Sequence, residues 1–335
     1  MYSLLRSLLF RLDPETAHQF TLQLLRLGGV EPIYSILRSM YSMPSRPIHA
    51  FGLTFKNPVG LAAGYDKNAV AVKGLSALGF GHIEVGTVTP KPQPGNPRPR
   101  VFRLVEDEAV INRMGFPSHG ADFVAKSLRL GNPLAIIGVN LGKNKDTPLD
   151  AAAEDYLSLM RTFTPLASYL TINISSPNTI GLRRLQGREM LEQLLGAIQK
   201  EREGIALGRG GNAPVLVKIA PDLTDEELDD AVGVILDKGM DGIIAANTTL
   251  AREGLRSNHQ SELGGLSGSL LRVRSETMLR QLVNRIHGKI PIVSVGGIMN
   301  PKDAKRRLEM GATLIQLYTG LIYHGPGLVK KILEH

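Results

Sequence analysis

The sequence predicts an α/β protein, a (β/α)8 TIM barrel that follows a small N-terminal helical domain. Eight short apolar runs after residue 50 have the length of buried strands, and most are separated by segments with helical apolar spacing. The first 45 residues show helical spacing instead. A chain of 335 residues has room for a barrel, which takes about 250 residues, and a small extra domain. A doubly wound sheet remains the alternative, because counting strands does not show closure.

The composition is that of a globular protein, with 43% hydrophobic and 21% charged residues. The chain has no cysteine, which excludes disulfides, thiolate zinc sites, cysteine-ligated iron–sulfur clusters and a cysteine nucleophile. No apolar run approaches the roughly 20 residues that span a bilayer. Arg6 and Arg11 interrupt the apolar N-terminus, so we do not expect a secretory signal.

The net charge of +8 suits an anionic partner, whether nucleic acid, anionic lipid or a small molecule with phosphate or carboxylate groups. A nucleic-acid surface needs concentrated basic residues, usually with aromatic side chains among them. Here the basic residues are spread along the chain, aromatic residues make up 5%, and tryptophan is absent. We therefore expect no nucleic-acid partner.

Residues 1–45 predict three helices that form the N-terminal domain. Leu4, Leu5, Leu8, Leu9 and Leu12 recur at helical spacing in the first helix. The sequence 13–15 (Asp-Pro-Glu) has the composition of a helix start, and glycines 28 and 29 end that second helix. A third helix is predicted over 33–41. The leucines either pack on the main domain or face an anionic membrane surface, with the arginines near headgroups. The sequence favours neither alternative.

Residues 46–335 predict the barrel. The predicted strands are 58–63, 82–86, 134–141, 170–174, 215–219, 242–246, 291–295 and 314–318. Among the intervening helices, Thr224 and Glu227 form a capping-box pattern and Gly239 ends the helix. Two long polar or Pro/Gly-rich segments, 88–111 and 250–270, interrupt the alternation. Such segments usually form functional rims or lids.

In such barrels the active site lies at the carboxyl ends of the strands. The residues that follow the predicted strands include Lys67, Lys218, several asparagines, several hydroxyls and two glycine-rich turns. The asparagines suit a planar, amide-rich ligand, the lysines suit a carboxylate or an electron sink, and the glycines suit a phosphate. Together they predict a phosphate-bearing cofactor and a small anionic ring. We expect no metal, because this end has no His/Asp/Glu cluster, and we expect Asp66 and Asp146 to accept backbone amides.

Ten motifs in matching order carry a resemblance to a known family. They are NPVGLAAGYDKN, EVGTVTPKPQPGNPRPRVFRL, INRMGF, GVNLGKNKDTP, INISSPNT, VKIAPDL, NTTL, GGLSG, VGGI and QLYTG. Across the whole chain the sequence resembles dihydroorotate dehydrogenase. The N-terminal LDPETAH segment, and a serine where the soluble classes carry cysteine, resemble the quinone-dependent, membrane-associated class.

The resemblance implies FMN-dependent oxidation of dihydroorotate to orotate, with electrons passed to a membrane quinone, in de novo pyrimidine (UMP) biosynthesis. It also implies peripheral attachment to the cytoplasmic side of the cell membrane through the N-terminal helices. Ser176 would be the catalytic base that removes the C5 proton as hydride leaves C6 for flavin N5. His18 and Arg103 match positions that line the quinone tunnel.

The resemblance also implies the binding residues. Those implied for the substrate are Lys67, Asn112, Arg113, Met114, Gly115, Phe116, Asn173, Asn178, Asn247 and Thr248. Those implied for FMN are Ala63, Gly64, Tyr65, Asp66, Lys67, Thr87, Asn140, Asn173, Lys218, Ala246, Gly268, Gly297, Tyr318 and Thr319. The family commonly has threonine where this chain has Ala246, so a side-chain hydroxyl is missing there.

The serines of NISSPNT are expected to differ in role. Pro177 keeps Ser176 extended at the end of its strand, and neighbouring residues of a strand point in opposite directions. Ser176 is therefore predicted to face the site and Ser175 to be scaffolding. A serine hydroxyl has a pKa near that of water, roughly 15.7, so it needs a hydrogen-bonded relay to act as a base.

Two alternatives remain at this point. The chain could be a related FMN barrel that acts on another pyrimidine or uses another acceptor. It could also be a basic protein that binds a phosphate ligand or nucleic acid without catalysis.

Overall fold

The computed structural model describes residues 2–130, 135–209 and 213–335. In chain order its strands are β1 (Ile48–Ala50), β2 (Leu53–Phe55), β3 (Val59–Leu61), β4 (His82–Val88), β5 (Val101–Leu104), β6 (Ala109–Asn112), β7 (Ile136–Leu141), β8 (Tyr169–Asn173), β9 (Val215–Ile219), β10 (Gly242–Ala245), β11 (Gly265–Gly268), β12 (Ile292–Val295) and β13 (Leu314–Leu317). Its helices are α1 (Tyr2–Leu9), α2 (Pro14–Leu27), α3 (Ile33–Tyr41), α4 (Val72–Ala77), α5 (Ala121–Leu130), α6 (Ala152–Phe163), α7 (Arg188–Arg209), α8 (Asp225–Asp237), α9 (Leu271–Ile286), α10 (Pro301–Glu309), α11 (Thr319–His324) and α12 (Gly327–Glu334).

Eight parallel strands close into a barrel in the order β3, β4, β7, β8, β9, β10, β12 and β13, and β13 pairs with β3. Each of these strands coincides with one of the eight predicted runs, although Leu134, the first residue of the third run, lies outside the described residues. Closure confirms the predicted barrel and excludes the doubly wound sheet. Residues on the strands, such as Val85, Val139 and Ile172, are fully buried in one core shared with the surrounding helices.

Local capping accounts for where several helices begin. The Asp13 carboxylate accepts the backbone N–H groups of Glu15 and Thr16, both at 3.0 Å, and α2 begins at Pro14. At α8 the Thr224 hydroxyl accepts the Glu227 N–H at 3.2 Å, and the Glu227 carboxylate accepts the Thr224 N–H at 2.8 Å. The capping box predicted from sequence is therefore confirmed.

The two long segments pair with each other, which the sequence did not predict. Strands β5, β6 and β11 form a three-stranded antiparallel sheet in which β6 is central. In its register Asn112 lies opposite both Val101 and Gly265. The pairing joins parts of the chain about 150 residues apart, and each strand is four residues long. Strands this short carry too little alternation to be recognised locally.

The N-terminal helices are attached to the barrel by buried polar contacts. Glu15 on α2 is 8% exposed and accepts a hydrogen bond from the Arg100 guanidinium at 2.7 Å and another from Arg98 at 3.0 Å. The Tyr2 hydroxyl donates to the Ile322 carbonyl at 2.6 Å. Arg6 donates to the Tyr323 carbonyl, so this arginine faces the barrel and not a lipid headgroup.

The opposite face of these helices carries exposed apolar side chains. Leu4, Leu8, Leu24, Leu27 and Ile36 are each between 45% and 75% exposed. These side chains therefore do not pack on the main domain, which was one of the two alternatives for this region. Leu9, by contrast, is buried. Within the described residues no helix combines the length and apolar character needed to cross a membrane.

Candidate functional site

A cavity of about 970 Å³ opens at the carboxyl ends of the barrel strands. The predicted site residues that line it are Ala63, Gly64, Lys67, Thr87, Asn112, Met114, Gly115, Phe116, Asn173, Ser176, Asn178, Lys218, Ala246, Asn247, Thr248, Gly268, Gly297, Tyr318 and Thr319. Seven of the eight predicted strand ends, all but the third, thus contribute residues to the lining of one cavity.

Of the residues predicted to bind substrate or FMN, four lie outside the lining of this cavity. The Asp66 carboxylate is fully buried and accepts the N–H groups of Val70 at 3.0 Å and Ala71 at 2.7 Å, as expected for a structural acceptor. Asn140 lies in the barrel interior beneath the cavity, and Arg113 forms an ion pair with Glu262 at 2.6 Å. Tyr65 lines a second cavity, described below.

The two serines of the NISSPNT segment have different surroundings. Ser175 is fully buried, and its hydroxyl donates to Asn173 Oδ1 at 3.0 Å while accepting Asn247 Nδ2 at 2.9 Å. It therefore orients two asparagines that line the cavity. Ser176 lines the cavity itself and is 5% exposed, and its hydroxyl accepts the Asn178 N–H at 3.2 Å.

The asparagine side chains are held by hydrogen bonds below the cavity floor. Asn173 Nδ2 donates to Thr87 Oγ1 and to Asn140 Oδ1, both at 2.9 Å. Thr87 Oγ1 in turn donates to Asn140 Oδ1 at 2.5 Å. Asn178 Nδ2 donates to Asn112 Oδ1 at 3.1 Å, which joins the strand-β8 segment to the 112–116 loop. These amide groups are thus preorganised by the protein before any ligand binds.

Glu84 is the principal residue that the sequence reasoning missed. It is fully buried in β4, and its carboxylate accepts Asn140 Nδ2 at 2.8 Å, Gln316 Nε2 at 3.0 Å and the Tyr169 hydroxyl at 3.1 Å. Lys218 Nζ lies 3.9 Å from it. The available signal was a glutamate inside an otherwise apolar run, since a charged residue is rarely buried unless it is paired.

Burial lowers the pKa values of both lysines that line the cavity. For Lys218 the lowering by burial is partly offset by the nearby Glu84 carboxylate. Burial lowers the pKa of Lys67 to about 8, with Glu15 raising it and Arg100 lowering it further. Lys67 Nζ donates to the Gly64 carbonyl at 2.5 Å. The site therefore has two poorly solvated cations, which favours an anionic ligand.

Unpaired polar atoms show what kind of ligand the cavity suits. Thr248 Oγ1 and Gln316 Oε1 are buried, line the cavity and lack a hydrogen-bond partner within the described residues. Buried polar atoms normally have a partner, so a ligand with several donors and acceptors fits here. Gly297, which also lines the cavity, has φ +71°, and a Cβ there would lie 2.4 Å from Arg272 N. The missing side chain therefore lets the start of α9 pack against this turn, and a glycine turn beside a helix start suits a phosphate.

A second cavity of about 790 Å³ lies between the N-terminal helices and the barrel. Much of its lining is apolar, with contributions from Leu9, Ala17 and Leu321. Asn112, Met114 and Tyr318 line both cavities, so the two share a wall.

Both residues predicted for the quinone tunnel line this second cavity. His18 packs edge-on against Tyr65 with ring centroids 5.1 Å apart. Burial, together with the charge of Lys67, lowers the pKa of His18 to about 3, so this imidazole is neutral at physiological pH. The Arg103 guanidinium lies 4.6 Å from the centre of the Phe10 ring and donates to the Leu9 carbonyl at 3.0 Å. Within the described ranges no group of three His, Asp or Glu side chains is arranged to hold a metal ion.

The fold and the two cavities define an α/β barrel with a polar site for a planar, anionic ligand and an apolar side pocket. A family model described as dihydroorotate dehydrogenase matches residues 47–335. A protein of Azotobacter vinelandii named dihydroorotate dehydrogenase (quinone) is 48% identical over 335 residues, spanning 100% of this chain and 96% of that protein. One of the same name from Stutzerimonas stutzeri is 49% identical, spanning 100% and 97%.

A solved structure agrees with these sequence relatives. The crystal structure of DHODH from Eimeria tenella in complex with ferulenol superposes with a TM-score of 0.87 at 40% identity, covering 96% of this chain and 90% of that one. This chain belongs to the dihydroorotate dehydrogenase family.

Proposed function

We propose that this protein oxidises dihydroorotate to orotate in pyrimidine biosynthesis and passes the electrons to a quinone. The observation that carries the proposal is the pair of adjoining cavities, one at the strand ends with amides and lysines in its lining and one under the N-terminal helices, which share Asn112, Met114 and Tyr318. The relatives named dihydroorotate dehydrogenase (quinone) along the full length of the chain support the same reaction.

The cofactor of the polar cavity is FMN. When bound, it would supply the hydride acceptor for the substrate and the electron donor for the quinone. Two observations support FMN as the ligand of this cavity. One is the pair of unpaired polar atoms, Thr248 Oγ1 and Gln316 Oε1, and the other is the glycine turn at Gly297. Lys67, Thr87, Asn173 and Lys218 would hold FMN by polar side chains, and its lining would be completed by Ala63, Gly64, Ala246, Gly268, Gly297, Tyr318 and Thr319. The other three residues expected for FMN lie outside this lining and would act indirectly, by supporting the residues that line it: Tyr65, Asp66 and Asn140. Ala246 offers only backbone groups and a methyl group.

Ser176 removes the proton from C5 of dihydroorotate while its own hydroxyl proton passes to solvent through a hydrogen-bonded water. Its low exposure and its position in the lining support this role, because a buried hydroxyl beside preorganised amides can transfer a proton without competition from bulk water. Ser175 does not face the cavity and acts through Asn173 and Asn247.

The asparagines bind the amide groups of the substrate ring, and Lys67 binds its carboxylate. Asn112, Asn173, Asn178 and Asn247, with Thr248, supply both donors and acceptors around one planar ligand. Arg113, Met114, Gly115 and Phe116 complete the substrate loop that covers it. An electrostatic argument supports the role of Lys67, since a poorly solvated cation gains more from a carboxylate than an exposed one does.

The quinone binds in the apolar cavity beside His18 and Arg103. A neutral imidazole and a guanidinium offer hydrogen-bond donors to quinone carbonyl oxygens while the apolar walls suit the ring. Residues 1–45 form the helical domain through which the quinone enters, and residues 46–335 form the catalytic barrel.

The exposed apolar face of this helical domain rests on the anionic inner surface of the cell membrane. Leu4, Leu8, Leu24, Leu27 and Ile36 insert into the interface, and Arg11, which is exposed, meets the headgroups. A membrane-dissolved quinone then reaches the apolar cavity without crossing water.

The reaction itself is tested by colour. The purified protein should be yellow, dihydroorotate should bleach its flavin absorbance without oxygen, and a long-tailed quinone should restore the colour. A colourless protein that FMN cannot reconstitute would contradict the proposal and favour a non-catalytic phosphate-binding protein. Bleaching without reoxidation by quinone would indicate a different acceptor.

Removal of the Ser176 hydroxyl should slow proton abstraction without loss of the cofactor. In Ser176→Ala we expect the flavin-reduction rate to fall by about 100-fold or more, since general bases contribute about that much. Ser176→Cys should restore part of the rate. In the comparison variant Ser175→Ala we expect weaker substrate binding, seen mainly in KM. Stopped-flow absorbance measures the rates, and near wild-type reduction in Ser176→Ala would disprove the assignment.

Orotate affinity should depend on the charge of Lys67. The pKa of Lys67 is about 8 in the free protein, so the side chain is charged below that pH and neutral above it. We expect the Kd of orotate to be constant at pH values below the pKa of Lys67 and to rise about tenfold per pH unit above it. Titrations of the flavin spectrum between pH 6 and 9 measure this. Lys67→Met should bind weakly with no such rise, and a flat wild-type profile would contradict the role.

Membrane attachment should depend on the exposed leucines of α2. The double variant Leu24→Glu with Leu27→Glu should lose binding to anionic phospholipid vesicles by about tenfold or more, because each leucine contributes about 1.5–3 kcal/mol on burial. Vesicle co-sedimentation measures binding. Leu207→Glu, on α7 and 91% exposed in the wild type, is the control and should bind as the wild type does. Equal losses in both variants would contradict the proposed surface.

A further inference from the structure

Arg307 on α10 is a fully buried arginine that none of the roles above uses. A buried guanidinium is costly unless its N–H groups are paired. Its NH1 group donates to Ser294 Oγ at 3.1 Å, and its NH2 group lies 2.9 Å from the Gly296 carbonyl and 3.0 Å from the Arg272 carbonyl. The same NH2 group donates to Ser275 Oγ at 2.7 Å. Its partners are therefore backbone oxygens and hydroxyls near the glycine turn at 296–297.

The contact with the Gly296 carbonyl controls where the Gly297 N–H points. Both atoms belong to one trans peptide, in which C=O and N–H point in opposite directions. Arg307 holds the oxygen, so the N–H points away from Arg307, and Gly297 lines the polar cavity. Within the described residues no acceptor takes this N–H. It is available to a ligand oxygen.

The same side chains connect the glycine turn to the start of α9. Ser275 Oγ lies 2.8 Å from the Gly296 carbonyl and 3.0 Å from the Arg272 carbonyl, the two oxygens that Arg307 also contacts. Arg272 is in the first turn of α9, which begins at Leu271, and both Leu271 and the preceding Gly268 line the cavity. One buried group thus sets the relative position of two backbone segments at the same end of the cavity.

Arg307 also brings positive charge to this end. Burial lowers its pKa to about 10, so it stays charged at neutral pH. Its nearest carboxylate is Glu276, at 3.7 Å from Nε, beyond hydrogen-bond distance. Glu276 and Asp303 partly balance this charge, so Arg307 acts on an anion mainly through the N–H group that it orients.

We propose that Arg307 is a positioning residue for the phosphate end of the flavin site, which aligns the Gly297 N–H and the start of α9 and so makes the site prefer phosphorylated over unphosphorylated flavin. The inference rests on the proposed binding of FMN. A side chain that only joined α10 to α9 would affect both flavins alike, whereas a phosphate-positioning role affects FMN alone.

The test compares FMN with riboflavin, which has the same ring and no phosphate. Kd values of the flavin-free protein are measured from flavin fluorescence for the wild type, Arg307→Met and Arg307→Lys. We expect Arg307→Met to bind FMN about tenfold more weakly or worse, with riboflavin affinity within about twofold of the wild type. Arg307→Lys keeps the charge but loses the planar guanidinium, so its FMN affinity should lie between those of the wild type and Arg307→Met. Arg306→Met is the matched control, because Arg306 is the exposed neighbour, and it should bind both flavins as the wild type does.

Thermal unfolding of each flavin-free variant separates folding from binding. If Arg307→Met does not fold, Ser275→Ala carries the test, since it removes one contact to the same two oxygens and should weaken FMN binding selectively. Equal loss of FMN and riboflavin affinity, or unchanged FMN affinity, would overturn the positioning role. If the wild type bound FMN and riboflavin equally, the positioning role of Arg307 would also be overturned, but the proposal that the protein binds FMN would stand. A wild type that binds neither flavin would overturn the proposed function as well.

Discussion

One buried carboxylate organises the polar interior of this barrel. Glu84 has no contact with solvent, so its charge must be balanced inside the protein. Asn140, Tyr169 and Gln316 donate to it from three other strands, and Lys218 on a fourth supplies the opposite charge. Each of these side chains is therefore held in one orientation. Removal of the carboxylate would leave a buried lysine without a counter-charge and several donors without an acceptor.

The side chains between Glu84 and the cavity are held in place by hydrogen bonds that lead back to Glu84. Asn140 contacts both Glu84 and the pair Thr87 and Asn173, so the ligand-facing amides are connected to the barrel centre. Ser175 extends the same layer to Asn247. Positioned amides of this kind need little reorganisation when charge develops on a bound ring, which is how a neutral polar site stabilises an anionic product.

The two cavities differ in the polar groups that line them and meet at one wall. The first has amides and lysines at the strand ends, whereas the second lies under α1 and α2 and combines apolar side chains with His18 and Arg103. Tyr318 lines both spaces. The Glu15–Arg100 ion pair holds α2 against the barrel, so the apolar cavity keeps its wall. The exposed leucines on the outer face of these helices fit a protein that takes one reactant from a lipid phase.

The sequence by itself determined the eight strands and the capped helices, because these depend on local spacing that can be read along the chain. The rule that strand ends collect at one side of a barrel placed the lysines, asparagines and glycine turns together, and the matching motifs of the family supplied the rest of the predicted lining. Only the tertiary structure decided that the barrel closes and that β5, β6 and β11 pair. It also decided which face of α2 is exposed and that Glu84 and Arg307 are buried with partners. Each of these depends on contacts between residues distant in sequence, whose energies no local pattern contains.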